Sequence, residues 1–355
     1  MTAPPIAPYG RTAARAHGQP GQTLRPASMT IDMHAHVLVP EAAALAEPHV
    51  TATNPMGQFA TPETRAVNAR QGAERRANLT DLALRLSDMD AAGVDLQVVM
   101  PPPGQCYYAV PPDIGVRAAR IVNDGMAAWV AQRPDRFAAL GSVPLGAPDA
   151  VVAELERCMG ALGLKGVQIL TNVNGREISD PEFAPFWACA EALGAVVLIH
   201  PNGFTHAERL SRFYFNNVIG NPFETALALH YLIFDGVLLR HPALKVIAVH
   251  GGGYLAGYSG RIDHAWGARP DCHAGLPEPP SVYLKRVYVD TIVFTPHQLD
   301  ALVGLFGVDR VLMGTDYPFD MAESDPIGHL ASSRNIDSTT MAALAGGNAR
   351  RLFGL

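Results

Sequence analysis

Eight short apolar runs recur along the chain, at 29–37, 94–100, 136–143, 164–170, 195–200, 244–250, 286–290 and 310–315. Most are separated by stretches of helical length, at 79–92, 113–133, 148–162, 181–193, 222–240, 254–266 and 296–306, with two more near 326–333 and 338–353. Several runs, such as Ala195-Val196-Val197-Leu198-Ile199, are apolar without a break. A strand that does not alternate is buried on both faces, which is the condition of a parallel sheet covered by helices. Eight such units in 355 residues predict a (β/α)8 (TIM) barrel, a fold that exceeds 250 residues as one domain. A doubly wound open sheet is the alternative, but no Gly-x-Gly-x-x-Gly follows the first run, so dinucleotide binding has no support.

The remaining sequence sets the boundaries. Residues 1–28 hold Pro4, Pro5, Pro8, Arg11, Arg15, Pro20 and Pro26 with no apolar stretch, and read as a flexible tail rather than a secretion signal. Residues 29–355 read as one domain, and 40–78, which lacks sustained periodicity, as an insertion or lid after the first strand. Lys+Arg 27 against Asp+Glu 33 gives a net charge of −6 with no basic run, which argues against nucleic acid and anionic membranes as partners. No apolar run approaches the ~20 residues of a membrane span. Cys106, Cys158, Cys189 and Cys272 are scattered and read as reduced, buried thiols of a cytoplasmic protein.

In such barrels the active site lies at the carboxyl ends of the strands. The first run ends in His34-Ala35-His36, where residues two apart point the same way. The fifth ends at His200, the sixth at His250, and the eighth at Asp316. Each has an ordinary use alone, as a strand or helix cap or a packed imidazole. Together they place four imidazoles and a carboxylate at one mouth. That donor set suits Zn²⁺, with Mn²⁺ or another divalent metal as the alternative. The fourth strand brings only Gln168, Leu170, Thr171 and Asn172 to the mouth, with Lys165 at its far end, so no bridging ligand for a second metal is expected. Gly251-Gly252-Gly253 after His250 either lets backbone approach the pocket or makes a tight turn. Arg261, eleven residues past His250, is a candidate carboxylate clamp, or else a surface ion pair with Asp263.

Ile31-Asp32-Met33-His34-Ala35-His36, His200-Pro201, Val249-His250-Gly251-Gly252-Gly253, Gly260-Arg261-Ile262-Asp263-His264-Ala265-Trp266 and Gly314-Thr315-Asp316-Tyr317-Pro318-Phe319 occur in this order. Together they resemble the amidohydrolase superfamily, in particular its aminocarboxymuconate-semialdehyde decarboxylase family. The resemblance implies that His34, His36, His200 and Asp316 bind one Zn²⁺ and that His250, with Asp316, moves protons. It implies that Arg261 binds substrate carboxylate in the neighbouring subunit of a homodimer. Arg75 or Arg76 would be a second clamp, and Phe319 would line the pocket. Asn202 stands where the family carries a tryptophan, so the substrate pocket departs from the family's. The implied activity is metal-dependent, non-oxidative decarboxylation of an aromatic or muconate-type acid. A hydrolase or hydratase on the same scaffold, acting on a small cyclic or unsaturated carboxylate, is the alternative, and a non-catalytic metal-binding barrel the third reading.

Overall fold

The computed structural model describes residues 21–50, 54–273 and 275–355. Eight parallel strands follow one another in chain order: β1 (Ile31–His36), β2 (Leu96–Met100), β3 in two pieces (Phe137–Ala139 and Gly141–Ser142), β4 (Gly166–Leu170), β5 (Val196–His200), β6 (Lys245–Ala248), β7 (Tyr288–Asp290) and β8 (Val311–Leu312). Each pairs in parallel with the next; the first piece of β3 holds β2 and the second holds β4. The circle closes between β8 and β1. Met33 N–H donates to the Met313 carbonyl (2.9 Å), Asp316 N–H to His34 (2.8 Å) and His36 N–H to Tyr317 (2.8 Å). The sheet therefore has no free edge, and the open-sheet alternative falls.

Strand burial follows from closure. β2 and β5 are buried along their whole length. Ile31, Met33, Val98, Leu140, Leu198 and Ile247 form one apolar cluster with the C-terminal residues Ala349, Leu352 and Phe353. The larger cluster joins strand residues such as Val99, Val197, Val246 and Val289 to Trp129, Trp187, Leu229 and Leu302 of the surrounding helices. Gly166 shows how tightly the strands are set: its φ is +150°, and a Cβ there would lie 1.9 Å from the Val196 carbonyl oxygen.

The helices are α1 (Pro62–Thr80), α2 (Leu82–Ala92), α3 (Pro112–Gln132), α4 (Val151–Met159), α5 (Ala184–Leu193), α6 (Asn221–Phe234), α7 (Leu255–Ala268) and α8 (Pro296–Phe306), with shorter ones between and after them. Two differ from the sequence reading. The segment 40–78 is not a loop: it holds short helices at Pro40–Ala46 and Pro55–Gln58 and most of α1. Periodicity missed α1 because only Arg75 and Leu79 of its 19 residues are buried. It is held instead by local signals: Thr61 caps the Thr64 N–H at 3.2 Å, and Pro62 and Glu63 open the first turn. In α2 the apolar pattern of the sequence, Leu82, Leu84, Leu86 and Met89, would place Leu84 inside, but Leu84 is 37% exposed while Arg85 is fully buried. Asp81 caps α2 through the Leu84 N–H, and Gly93, at φ +73°, ends it.

Residues 1–20 of the expected tail lie outside the described residues. Of the rest, Gly21–Leu24 is a short helix and Arg25 pairs with Asp95 at 2.6 Å. All four cysteines are free, but only Cys106 and Cys158 are buried; Cys189 and Cys272 are partly exposed, so uniform burial was too simple. No helix among the described residues is long and apolar enough to cross a membrane.

Candidate metal centre

The barrel brings His34, His36, His200, His250 and Asp316 together at the carboxyl ends of β1, β5, β6 and β8. Among the described residues, ligand atoms of His34, His200, His250 and Asp316 all lie within 4.8 Å of one another. His36 joins through two neighbours: its Nε2 is 3.1 Å from His34 Nε2 and 3.1 Å from Asp316 Oδ1.

Hydrogen bonds on the far side of each ring decide which nitrogen faces the centre. His36 Nδ1 is 3.1 Å from the Pro101 carbonyl oxygen, and His200 Nδ1 is 2.6 Å from that of Pro201. A carbonyl only accepts, so each Nδ1 carries the proton and each Nε2 presents a lone pair inward. His34 Nδ1 lies 2.9 Å from Asp290 Oδ2, both side chains being fully buried. Burial pushes the Asp290 carboxyl up, but the bond from His34 and its charge outweigh this and hold it low, so Asp290 accepts as an anion. Three lone pairs therefore converge. His200 Nε2 is buried with no hydrogen-bond partner, and the His34 and His36 nitrogens, both acceptors, stand at 3.1 Å. Buried acceptors facing each other are costly unless something positive sits between them. Ligand atoms each ~2.0–2.2 Å from one cation stand about 3 Å apart, which is this spacing. The residues thus fit one divalent cation.

The titration pattern agrees for His200 and His36; burial lowers His34 too, but its hydrogen bond to Asp290 and the charges of Asp316 and Asp290 raise it overall, so without a cation this is the ring that favours a proton. Burial drives His200 well below the usual histidine range, with His250, His34 and His36 adding to it, so the ring is neutral. His36 is also lowered by burial. Burial raises the Asp316 carboxyl, but polar contacts with His250 and His36 and the charge of His34 overcome it and hold it well below the carboxylate range.

His250 stands differently. Its Nε2 is 3.7 Å from Asp316 Oδ2, its side chain keeps 15% exposure, and it lines a cavity of about 610 Å³ with His200, Asn202, Tyr214, Asp316 and Phe319. The glycines after it form a turn at φ +64°, +73° and +68°. A Cβ on Gly251 would strike Val293 at 2.4 Å, and one on Gly253 the Pro222 carbonyl oxygen at 2.1 Å. The turn also aims the Gly251 N–H at Asp290 Oδ1 (2.8 Å), which steadies the carboxylate behind His34.

Of the other expected residues, Phe319 lies in the cavity wall with its ring 4.9 Å from that of His36. Arg75 is buried, while Arg76 is exposed. Arg75 donates to Gln71 at 3.2 Å, but its Nε and Nη2 have no hydrogen-bond partner. Burial lowers its guanidinium, and the charges of Asp320 and neighbouring Tyr214, which both line the cavity, act against this. Arg261 is exposed on α7 and is not among the residues lining the cavity of its own chain.

The sequence reading missed the support behind the ligands. Asp32, fully buried, accepts from the His34 and Thr315 N–H groups (3.1 and 3.0 Å), from Thr315 Oγ1 (2.6 Å) and from Gln97 Nε2 (3.0 Å). Arg85 donates to Gln97 Oε1 at 3.0 Å and to the His36 carbonyl, and lies over the Tyr317 ring at 4.7 Å. Asp290 was legible, as a carboxylate ending an apolar strand like Asp316. Arg85 was not, because it occupies an apolar position of α2.

The amidohydrolase model matches residues 31–355. The chain belongs to the amidohydrolase family. Among its relatives is the 2-amino-3-carboxymuconate-6-semialdehyde decarboxylase of Dictyostelium discoideum, 38% identical over 280 residues, covering 79% of this chain and 78% of that one. The crystal structure of 5-carboxyvanillate decarboxylase from Sphingomonas paucimobilis superposes with a TM-score of 0.81 at 27% identity, covering 92% of this chain and 99% of that one. A dihydroxybenzoic acid decarboxylase from Polaromonas sp. JS666, solved with manganese and the inhibitor 2-nitroresorcinol, gives a TM-score of 0.78 at 23% identity, covering 92% and 97%. At that identity the likeness speaks for the shared barrel.

Proposed function

We propose that this amidohydrolase is a metal-dependent, non-oxidative decarboxylase of an aromatic or muconate-type carboxylic acid. The observation that carries the reading is the gathering of His34, His200, His250 and Asp316, with His36 joined to His34 and Asp316, beside a cavity that His250 lines, in a family whose named relatives are decarboxylases of such acids. His34, His36, His200 and Asp316 would hold the ion, and the imidazole-rich set favours Zn²⁺, with Mn²⁺ as the competing occupant. The bound cation supplies a Lewis acid for substrate oxygens.

The remaining work falls to the chain. His250, partly exposed and beside Asp316, is placed to deliver a proton to the ring or diene carbon that bears the carboxylate. Once that carbon is protonated, the electron pair of its bond to the carboxylate flows into the conjugated system and CO₂ departs. Asp316 takes part in the proton movement through its contact with His250. Arg75, with two donors unused, is the candidate intrachain clamp; it lines not the catalytic cavity but the smaller one behind Phe319, and would serve a substrate carboxylate that reaches past that ring. Phe319 and Met56, the latter from the segment after β1, line the cavity and would keep water from the anion. Arg261 would act on a neighbouring protomer. Phe223 (44% exposed), Tyr231 (40%), Tyr254 (41%) and Tyr258 (65%) on and beside α6 and α7 give that surface the apolar character of a dimer face.

Product analysis is the test. Metal-loaded enzyme incubated with a panel of hydroxybenzoates and carboxymuconates should release CO₂ and leave a product one carbon shorter. Incorporation of ¹⁸O from water without carbon loss would instead identify a hydrolase or hydratase.

A further inference from the structure

A second cavity of about 520 Å³ adjoins the first, and Gly104 and Asn202 line both. The two differ in character. The first carries His200, His250, Asp316 and Asp320, whereas among the described residues none lining the second is charged. Its wall mixes apolar residues, among them Val50, Pro55, Val110 and Leu170, with the uncharged polar groups of Tyr107, Tyr108, Asn174 and Thr205. Glu224, just behind it, is capped by Asn172 Nδ2 (2.6 Å) and lies within 3.4 Å of Thr205 Oγ1, so its carboxylate is engaged away from the space. Asn174 spends its amide donor on the Tyr108 carbonyl (2.9 Å) and keeps its carbonyl oxygen. Asn202, at the junction, makes no hydrogen bond to any described residue.

We infer that the substrate carries a second, uncharged part that passes Asn202 and is read in this adjoining cavity. The inference rests on the decarboxylase reading and adds the substrate's shape to it: an acid whose reacting ring or diene bears an extended, neutral, hydrogen-bonding arm. The chemistry follows from the lining. A charged arm would lose hydration without gaining an ion pair. A purely apolar arm would leave the half-buried Asn202 amide desolvated and unpaired, while the Asn174 oxygen, at the exposed rim, keeps its water. A hydroxyl or amide on the arm can accept from Asn202 and also donate to the Asn174 oxygen at the rim, whereas an ether can only accept from Asn202.

The test uses metal-loaded full-length enzyme and two probes in calorimetry: 2-nitroresorcinol, and the same compound bearing a di(ethylene glycol) arm at ring position 4 or 5. One armed isomer should bind wild type about tenfold or more tighter than the bare compound, the worth of roughly two neutral hydrogen bonds. Ala109→Trp fills the second cavity from a residue outside the catalytic cavity, and Gln58→Trp does so from the exposed rim. Either variant should abolish the gain from the arm while the bare compound binds as before. Equal binding of armed and bare compounds to wild type, or an arm gain that survives both tryptophans, would overturn the inference while leaving the decarboxylase reading intact. Absence of CO₂ release across the acid panel would remove the decarboxylase reading and this inference with it.

Discussion

Replacing Asp290 by asparagine tests the metal centre without touching a ligand. Asp290 Oδ2 accepts from His34 Nδ1 at 2.9 Å, while Oδ1 accepts from the Gly251 N–H at 2.8 Å and the Ile292 N–H at 3.2 Å. The asparagine has one acceptor oxygen, and two backbone donors compete for it on the Oδ1 side. Its amide NH₂ must then face His34, where a second donor already points. The imidazole relieves this by moving its proton to Nε2, which places N–H where the lone pair had been. Loss of such a supporting carboxylate typically costs 10–100-fold in metal affinity, which is about 1.4–2.8 kcal/mol. Asp290→Asn should therefore show a metal dissociation constant raised by roughly that factor in chelator competition, with an unchanged circular dichroism spectrum and turnover restored by excess metal. Wild-type metal affinity in the folded variant would refute the tautomer argument and remove His34 Nε2 from the proposed ligands.

Other outcomes separate the roles of the remaining residues. His250→Asn should keep metal content near wild type by elemental analysis yet lose ~10²–10⁴-fold in turnover, the usual worth of a general acid, whereas His200→Ala should lower both; metal loss in His250→Asn would mean the two roles are exchanged. Arg75→Met should raise KM for a carboxylate substrate by roughly 10–100-fold, as expected for a charged hydrogen bond of ~1.5–3 kcal/mol, while Arg76→Met should leave it alone; the reverse ranking in steady-state kinetics would assign the clamp to the exposed arginine. Acid should destabilise the metal-free protein. The folded pKa of His200 lies well below 6.5 and that of His36 below it, so below pH ~6.5 the unfolded chain binds more protons and stability falls with pH. His34, raised by Asp290 and Asp316 against its burial, opposes this in part. Urea midpoints of the metal-free protein at pH 8 and pH 5.5 check the sign, and a higher midpoint at pH 5.5 would contradict it.

How much of this was legible without coordinates depended on how local the signal was. The strands were readable because burial on both faces leaves continuous apolar runs, and their ends marked His34, His36, His200, His250 and Asp316 as one set. α1 was invisible to the same method: a helix that buries only Arg75 and Leu79 writes almost no periodicity, and its Thr61-Pro62 cap was the sole clue. Arg85 was hidden in the opposite way, by taking an apolar position in α2.

The sequence alone determined the order of the barrel and the kinds of atom brought to its mouth, because both follow from short-range patterning and from the rule that strand ends share one rim. Closure decided the rest. Only when β8 bonds to β1 does Asp316 meet His34 and His36; Asp290 and Pro101 reach from other strands to take one nitrogen of those two rings, while His200 is turned by its own neighbour Pro201. The tautomers of His34 and His36, the burial of Arg75 beside the exposed Arg76, and the cavity beyond Asn202 depend on partners far apart in the chain, up to 280 residues in the case of His36 and Asp316. No local pattern encodes a distance of that kind.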